Sequence, residues 1–270
     1  MKGIKDFVRE NQRILDEWKQ EYTKRGYNVS FTPDGIMYRG KEYPDGANWV
    51  HLESGRENEL WAKVPLRILF LTKDQNGGDD HSNWWDLRGD SYHHPDSDFE
   101  EYRLYKQYAF NTNIVNILYG LVKTIPNMMI NFEDINVQEA LKLADSYPYA
   151  RINCKKETGG SDCKDEVLSK AIDDYRNFLQ EQICNLDADI FVCCGNHNEN
   201  NIILNNLNGF YSGKFKWIDY ATWYNEEDNK LAIDLYHLSH RYYSRKKMYE
   251  DAIIPYFAFL QKHPEFVKHR

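Results

Sequence analysis

Apolar side chains recur near a 3.6-residue period from residue 4 to residue 25, at Ile4, Phe7, Val8, Ile14, Leu15, Trp18 and Tyr22. This predicts an amphipathic helix that stops at Gly26. The same reading predicts helices over residues 99–124, 136–147, 165–184, 198–208 and 246–262. Two uninterrupted apolar runs predict something else. Ile68 to Thr72 carries no charge, and Asp189 to Asn196 is apolar from its second residue until it breaks at Gly195. Such runs suit strands buried on both faces, the usual state inside a parallel sheet. Tyr149 to Asn153 and Leu231 to Tyr236 read as further strands, and Phe215 to Tyr220 alternates as an edge strand does. Pro33-Asp34-Gly35 lies between Val29-Ser30-Phe31 and Ile36-Met37-Tyr38-Arg39, which predicts a hairpin. Tyr43-Pro44-Asp45-Gly46 predicts another turn.

Strand followed by helix, repeated, gives an α/β fold class. The expected form is a three-layer α/β/α domain with a central, mainly parallel, four-stranded sheet. Residues 1–60 read as an N-terminal helical and hairpin extension packed on the core, and residues 61–270 as the α/β/α domain. No internal repeat or low-complexity segment is visible.

Composition narrows the class. Of 270 residues, 41% are hydrophobic and 28% charged, as in a soluble globular protein. The net charge of −8 argues against holding long duplex nucleic acid by charge alone. The charged, helix-patterned N-terminus predicts no signal peptide. No apolar run approaches the roughly 20 residues that span a bilayer. The expectation is a cytoplasmic protein with no membrane partner and five free thiols, Cys193 and Cys194 acting as small hydrophobes. No metal or other cofactor is expected. Cys154 and Cys163 lack partners at ligand spacing, and His81, His93 and His94 are irregularly placed.

Candidate chemistry collects where strands end. In open α/β sheets, ligands bind at the carboxyl ends of the strands. Three tips carry distinctive side chains: Asp74 with Gln75 and Asn76, Asn153, and His237. A long polar and aromatic loop, residues 75–98, begins at the first tip and holds Trp84, Trp85 and Arg88. Its tryptophans either close over a ligand or pin the loop to the body. Each tip residue also has a structural role open to it. Asp74 suits a helix cap, Asn153 a turn, and His237 a hydrogen bond to a backbone carbonyl.

The ordered motifs Thr72-Lys73-Asp74-Gln75-Asn76-Gly77, Ile152-Asn153-Cys154-Lys155-Lys156, Asp189 to Gly195 and His237-Leu238-Ser239 resemble those of the uracil-DNA glycosylase superfamily. The resemblance covers about residues 65–260. It implies that a base is extruded into a pocket and its N-glycosidic bond hydrolysed. Asp74 would activate water, and His237 would hydrogen-bond the pyrimidine oxygen that gains charge. Asn153 would read the amide edge of the base. Ser239 and Arg241 would hold phosphate, Gln75 and Asn76 would line the site, and Trp84 or Trp85 would stack on the base. The implied partner is DNA, single-stranded or with a flipped base, or a nucleobase ligand. Two departures stand out: Gln75 and Leu238 occupy positions where the family has proline. The family's iron–sulfur cysteines have no counterpart before Cys154. Two alternatives stay open. One is a non-catalytic module on a glycosylase-like scaffold that binds a nucleobase, nucleotide or protein. The other is an enzyme acting on a small soluble nucleoside or nucleotide.

Overall fold

The computed structural model describes residues 5–26, 30–45, 48–76, 86–90, 109–160, 163–195 and 201–266. Among these residues the strands are β1 (Gly35–Ile36), β2 (Glu42–Asp45), β3 (Asn48–His51), β4 (Ile68–Thr72), β5 (Ala150–Asn153), β6 (Ile190–Gly195), β7 (Lys216–Asp219), β8 (Thr222–Asn225) and β9 (Lys230–Tyr236). The helices are α1 (Phe7–Lys24), α2 (Glu57–Lys63), α3 (Ala109–Lys123), α4 (Val137–Ser146), α5 (Asp165–Asp174), α6 (Arg176–Leu186), α7 (Ile202–Leu207) and α8 (Arg245–Lys262).

The main sheet has the order β1-β5-β4-β6-β9-β8-β7, and β2 and β3 form a separate hairpin. The four central strands β5, β4, β6 and β9 run parallel. Strand β4 is buried along its whole length, as its uncharged run requires. Alternate residues feed two cores. Ile68 and Phe70 pack in one with Ile114, Leu118, Tyr249 and Tyr256 from α3 and α8. Leu69 and Leu71 pack in the other with Leu15 and Trp18 from α1 and Leu179 and Ile183 from α6. The chain is therefore mixed α/β with helices over both faces of a parallel centre. Helices α3 and α8 cross closely at Gly120, where an added Cβ would lie 2.7 Å from Ile253 and Tyr249.

Several sequence expectations are corrected. Among the described residues the sheet has seven strands, because an antiparallel strand joins one edge of the parallel four and a hairpin joins the other. One of them, β8, went unread. Among the described residues, which leave out Val29, the expected hairpin around Pro33-Asp34-Gly35 does not form. Instead Gly35 and Ile36 pair with Arg151 and Ala150 of β5, and Phe31 bridges to Glu157. Local turn chemistry placed the bend but not the partner. Of the expected turn Tyr43-Pro44-Asp45-Gly46, the first three residues are strand, paired with β3, and Gly46 lies outside the described residues. The helix expected over residues 165–184 is two helices. They meet at Tyr175, whose backbone leaves helical geometry (φ −126°, ψ 25°) and whose ring stacks on Tyr22 at 4.2 Å. Helix α2 was missed because seven residues give the period too few turns to appear.

Candidate functional site at the carboxyl ends of the parallel strands

The chain leaves β4 for β5 on one side and later returns to β6 on the other. The strand order therefore reverses beside β4, and ligands bind at such a switch point in open sheets. The tip beyond β4 is not a loose loop. Parallel pairing continues past the strand ends: Cys154 N–H donates to Thr72 O at 2.8 Å, Lys155 N–H to Lys73 O at 2.9 Å, and Gly159 N–H to Gln75 O at 2.7 Å. Asn76 bridges to Gly159. The backbone carrying Asp74, Gln75 and Asn76 is thus fixed against the backbone that follows Asn153.

Asn153 is fully buried. Its Oδ1 accepts from the Thr72 hydroxyl, which orients the amide. Its Nδ2 has no hydrogen-bond partner among the described residues. Leaving a buried donor unmatched costs about 1–3 kcal/mol, so native proteins rarely do it without a use for the group. The backbone N–H of Asn153 donates to Asp34 Oδ2 at 2.8 Å.

Asp74 is nearly buried, and its Oδ2 accepts from Lys155 Nζ at 3.1 Å. A Cβ at position 159 would lie 2.0 Å from that oxygen, so Gly159 is needed for the carboxylate to sit there. Burial raises the Asp74 pKa above the ordinary aspartate value, although Lys155 pulls it down.

Four cations surround this end of β4 and β5, and a carboxylate meets each one. Lys155 pairs with Asp74, Lys73 with Asp165, Arg151 with Asp90 and Lys156 with Asp34. Among the described residues each of these cations is matched, so the group suits a neutral polar ligand better than a phosphate. The basic run Arg245-Lys246-Lys247 is matched in the same way at two of its members. Lys246 pairs with Glu133 and Glu250, and Lys247 with Asp251.

His237 follows β9, two strands from β4. Its Nδ1 lies 2.8 Å from the exposed Ser239 hydroxyl. A chain of contacts joins it to the first tip. The His237 ring lies 5.7 Å from Phe110, the Arg151 guanidinium sits 4.5 Å over Phe110, and Arg151 donates to Gln75 Oε1 at 3.4 Å. Arg241 is exposed on the turn beyond Ser239. Asp74, Gln75, Asn76 and Asn153 are thus gathered on adjacent strands, while His237 and Ser239 join them only through Phe110 and Arg151. Trp84 and Trp85 lie outside the described residues, as do His81, His93 and His94. Arg88, from the same long segment, is a clamp: it pairs with Asp86 and lies over the Tyr38 ring at 5.0 Å.

Gln75 and Leu238 are each anchored in place. Leu238 is fully buried, and its carbonyl accepts from Asn113 at 2.7 Å. Gln75 is held by Arg151. Sequence reading missed Thr72, Asp34, Arg151 and Phe110. Arg151 left a visible trace, a charge between the apolar residues Ala150 and Ile152 of a buried strand.

For metal ions, one group of three ligating side chains lies close together among the described residues: Glu42, His51 and Asp145, on the β2–β3 hairpin and α4. No family model and no curated protein sequence matches the chain.

Proposed function

We propose that the carboxyl end of β4 and β5 binds a nucleobase by its amide edge, on a scaffold like that of the uracil-DNA glycosylases. The observation that carries this reading is the buried Asn153 amide, whose Oδ1 is engaged by Thr72 and whose Nδ2 is unmatched. A base carbonyl supplies the acceptor that this donor lacks. The balanced charges around it favour a neutral base or nucleoside over a polyphosphate.

Calorimetric titration of the protein with uracil, cytosine and their nucleosides tests the reading. One of them binds with unit stoichiometry, and Asn153→Ala weakens that binding at least about tenfold, the worth of one well-placed hydrogen bond. Equal binding by the variant, or no binding of any base, removes the reading.

Hydrolysis of the N-glycosidic bond is the second reading, favoured by the desolvated Asp74 carboxylate. A single-stranded oligonucleotide with one uracil is incubated with the protein and treated with alkali. Strand scission that disappears in Asp74→Ala supports hydrolysis. Base binding without scission leaves a binding module.

A further inference from the structure

We infer that Glu42, His51 and Asp145 form a binding site for a divalent transition-metal ion, independent of the nucleobase reading. Glu42 and His51 face each other across the β2–β3 hairpin, and Asp145 reaches in from the last turn of α4. His51 is 7% exposed. Its Nδ1 lies 3.1 Å from the Gly40 carbonyl, which can only accept, so the neutral tautomer that makes this bond carries its proton on Nδ1. Nε2 then points at two carboxylates, 3.3 Å from Glu42 Oε1 and 3.7 Å from Asp145 Oδ1.

Neither contact is a hydrogen bond, and Nε2 has no hydrogen-bond partner among the described residues. A lone pair directed at two anionic oxygens is repulsive unless a cation lies among them. The spacing suits a metal. Bonds of about 2.0–2.1 Å at tetrahedral angles set ligand atoms roughly 3.3–3.4 Å apart. All three ligating atoms fall within 4.8 Å of one another. The outer support is also that of a metal histidine, whose second ring nitrogen donates to a backbone carbonyl. That support is tightly held: Gly40 N–H donates to Leu52 O at 2.8 Å, and a Cβ on Gly40 would lie 2.4 Å from the same oxygen.

One imidazole and two carboxylates suit Zn²⁺, Mn²⁺ or Fe²⁺ rather than a thiolate-seeking ion. Three protein ligands leave a fourth position for water. The ion would tie the hairpin, which lies outside the main sheet, to α4.

The test strips the full chain with a chelator and titrates it with Zn²⁺ alone in a calorimeter. One equivalent binds, and the melting temperature rises with Zn²⁺ concentration. Asp145→Asn and Glu42→Gln keep side-chain shape and lower the affinity at least tenfold, and neither variant melts higher with Zn²⁺. Co²⁺ used in place of Zn²⁺ needs no variant. It gives a visible spectrum of nitrogen and oxygen ligation without a thiolate charge-transfer band. Failure of the wild type to bind Zn²⁺ at roughly 100 µM means that a proton, not a metal, joins the three groups. Unchanged affinity in both variants, or a thiolate band with Co²⁺, puts the ion elsewhere. Either result overturns the inference.

Discussion

Lys156 Nζ lies 2.6 Å from both carboxylate oxygens of Asp34, and neither side chain touches solvent. The pair is also hydrogen-bonded on its other sides. Lys156 donates to Asn153 O at 3.0 Å, while Asp34 accepts from Asn153 N–H and from Gln182 Nε2 at 2.8 Å each. Residues from before β1, from β5 and from α6 thus meet at one point directly behind the candidate amide.

Removing one member of a buried pair strands the other charge, at a cost of about 3–5 kcal/mol. Lys156→Leu and Asp34→Asn are each expected to destabilise the chain by that order in urea unfolding. The double variant should cost clearly less than the sum of the singles, because neither charge is then left alone. Single variants within about 1 kcal/mol of wild type would show that the pair is not holding these elements together.

Asn153 separates binding from stability. Thr72 keeps a second acceptor, Ile152 O at 3.2 Å, when the amide is removed. The unmatched Nδ2 disappears with it. Asn153→Ala is therefore expected to cost no more than about 2 kcal/mol of stability, while nucleobase binding is lost. A large loss of stability with retained binding would assign Asn153 a purely structural role.

Asp74 predicts a pH signature. Its folded pKa is raised by burial, so the folded state binds the proton more tightly than the unfolded state does. The stability this contributes is fully present below the ordinary aspartate pKa and is lost as pH rises through the raised value. Relative to Asp74→Asn, wild type should therefore gain stability as pH falls from neutral toward about 4. Denaturant unfolding of both proteins across that range measures the difference. A difference that moves the opposite way would mean that Lys155 outweighs burial.

The two middle strands of the parallel centre, β4 and β6, were legible because they are uncharged runs, the mark that burial on both faces leaves. Asp74 was legible as a polar break just after the first run, and Asn153 and His237 as polar residues at the ends of the strands read at 149–153 and 231–236. Their connections were not. Nothing local in Pro33-Asp34-Gly35 says that its carboxylate meets Lys156, 122 residues away. Gly35 and Ile36 pair with a strand from the middle of the chain, so the turn motif alone suggested the wrong neighbour. The Phe110 link between Arg151 and His237 depends on how α3 lies over the sheet, which periodicity does not fix.

The thiols should be silent. Burial pushes Cys154 and Cys163 up to about 12, and Asp74 adds to the effect at Cys163. It also raises Cys184, Cys193 and Cys194. The thiolate is the reactive form, so native protein near pH 8 is expected to react slowly with an aromatic disulfide reagent at all five positions. Unfolding in urea should release five equivalents. A thiol that reacts within seconds in the native state contradicts this.

Gly159 offers a direct probe of the Asp74 position. An added Cβ would lie 2.0 Å from Asp74 Oδ2 and 3.5 Å from Lys155 Nζ, so the carboxylate has to leave its partner. Overpacking of this kind costs about 1–3 kcal/mol, and Gly159→Ala is expected to destabilise by that order. The clash is with one side chain, so shortening that side chain should relieve it. In an Asp74→Ala background, Gly159→Ala should cost less than about 0.5 kcal/mol, leaving a large coupling term in the double-mutant cycle. Gly159→Ala should also lower any alkali-revealed cleavage of uracil-containing oligonucleotide together with Asp74→Ala, since both displace the same carboxylate. Additive costs in the two backgrounds would mean that Gly159 serves the backbone path between β5 and α5 and that Asp74 is not seated beneath it.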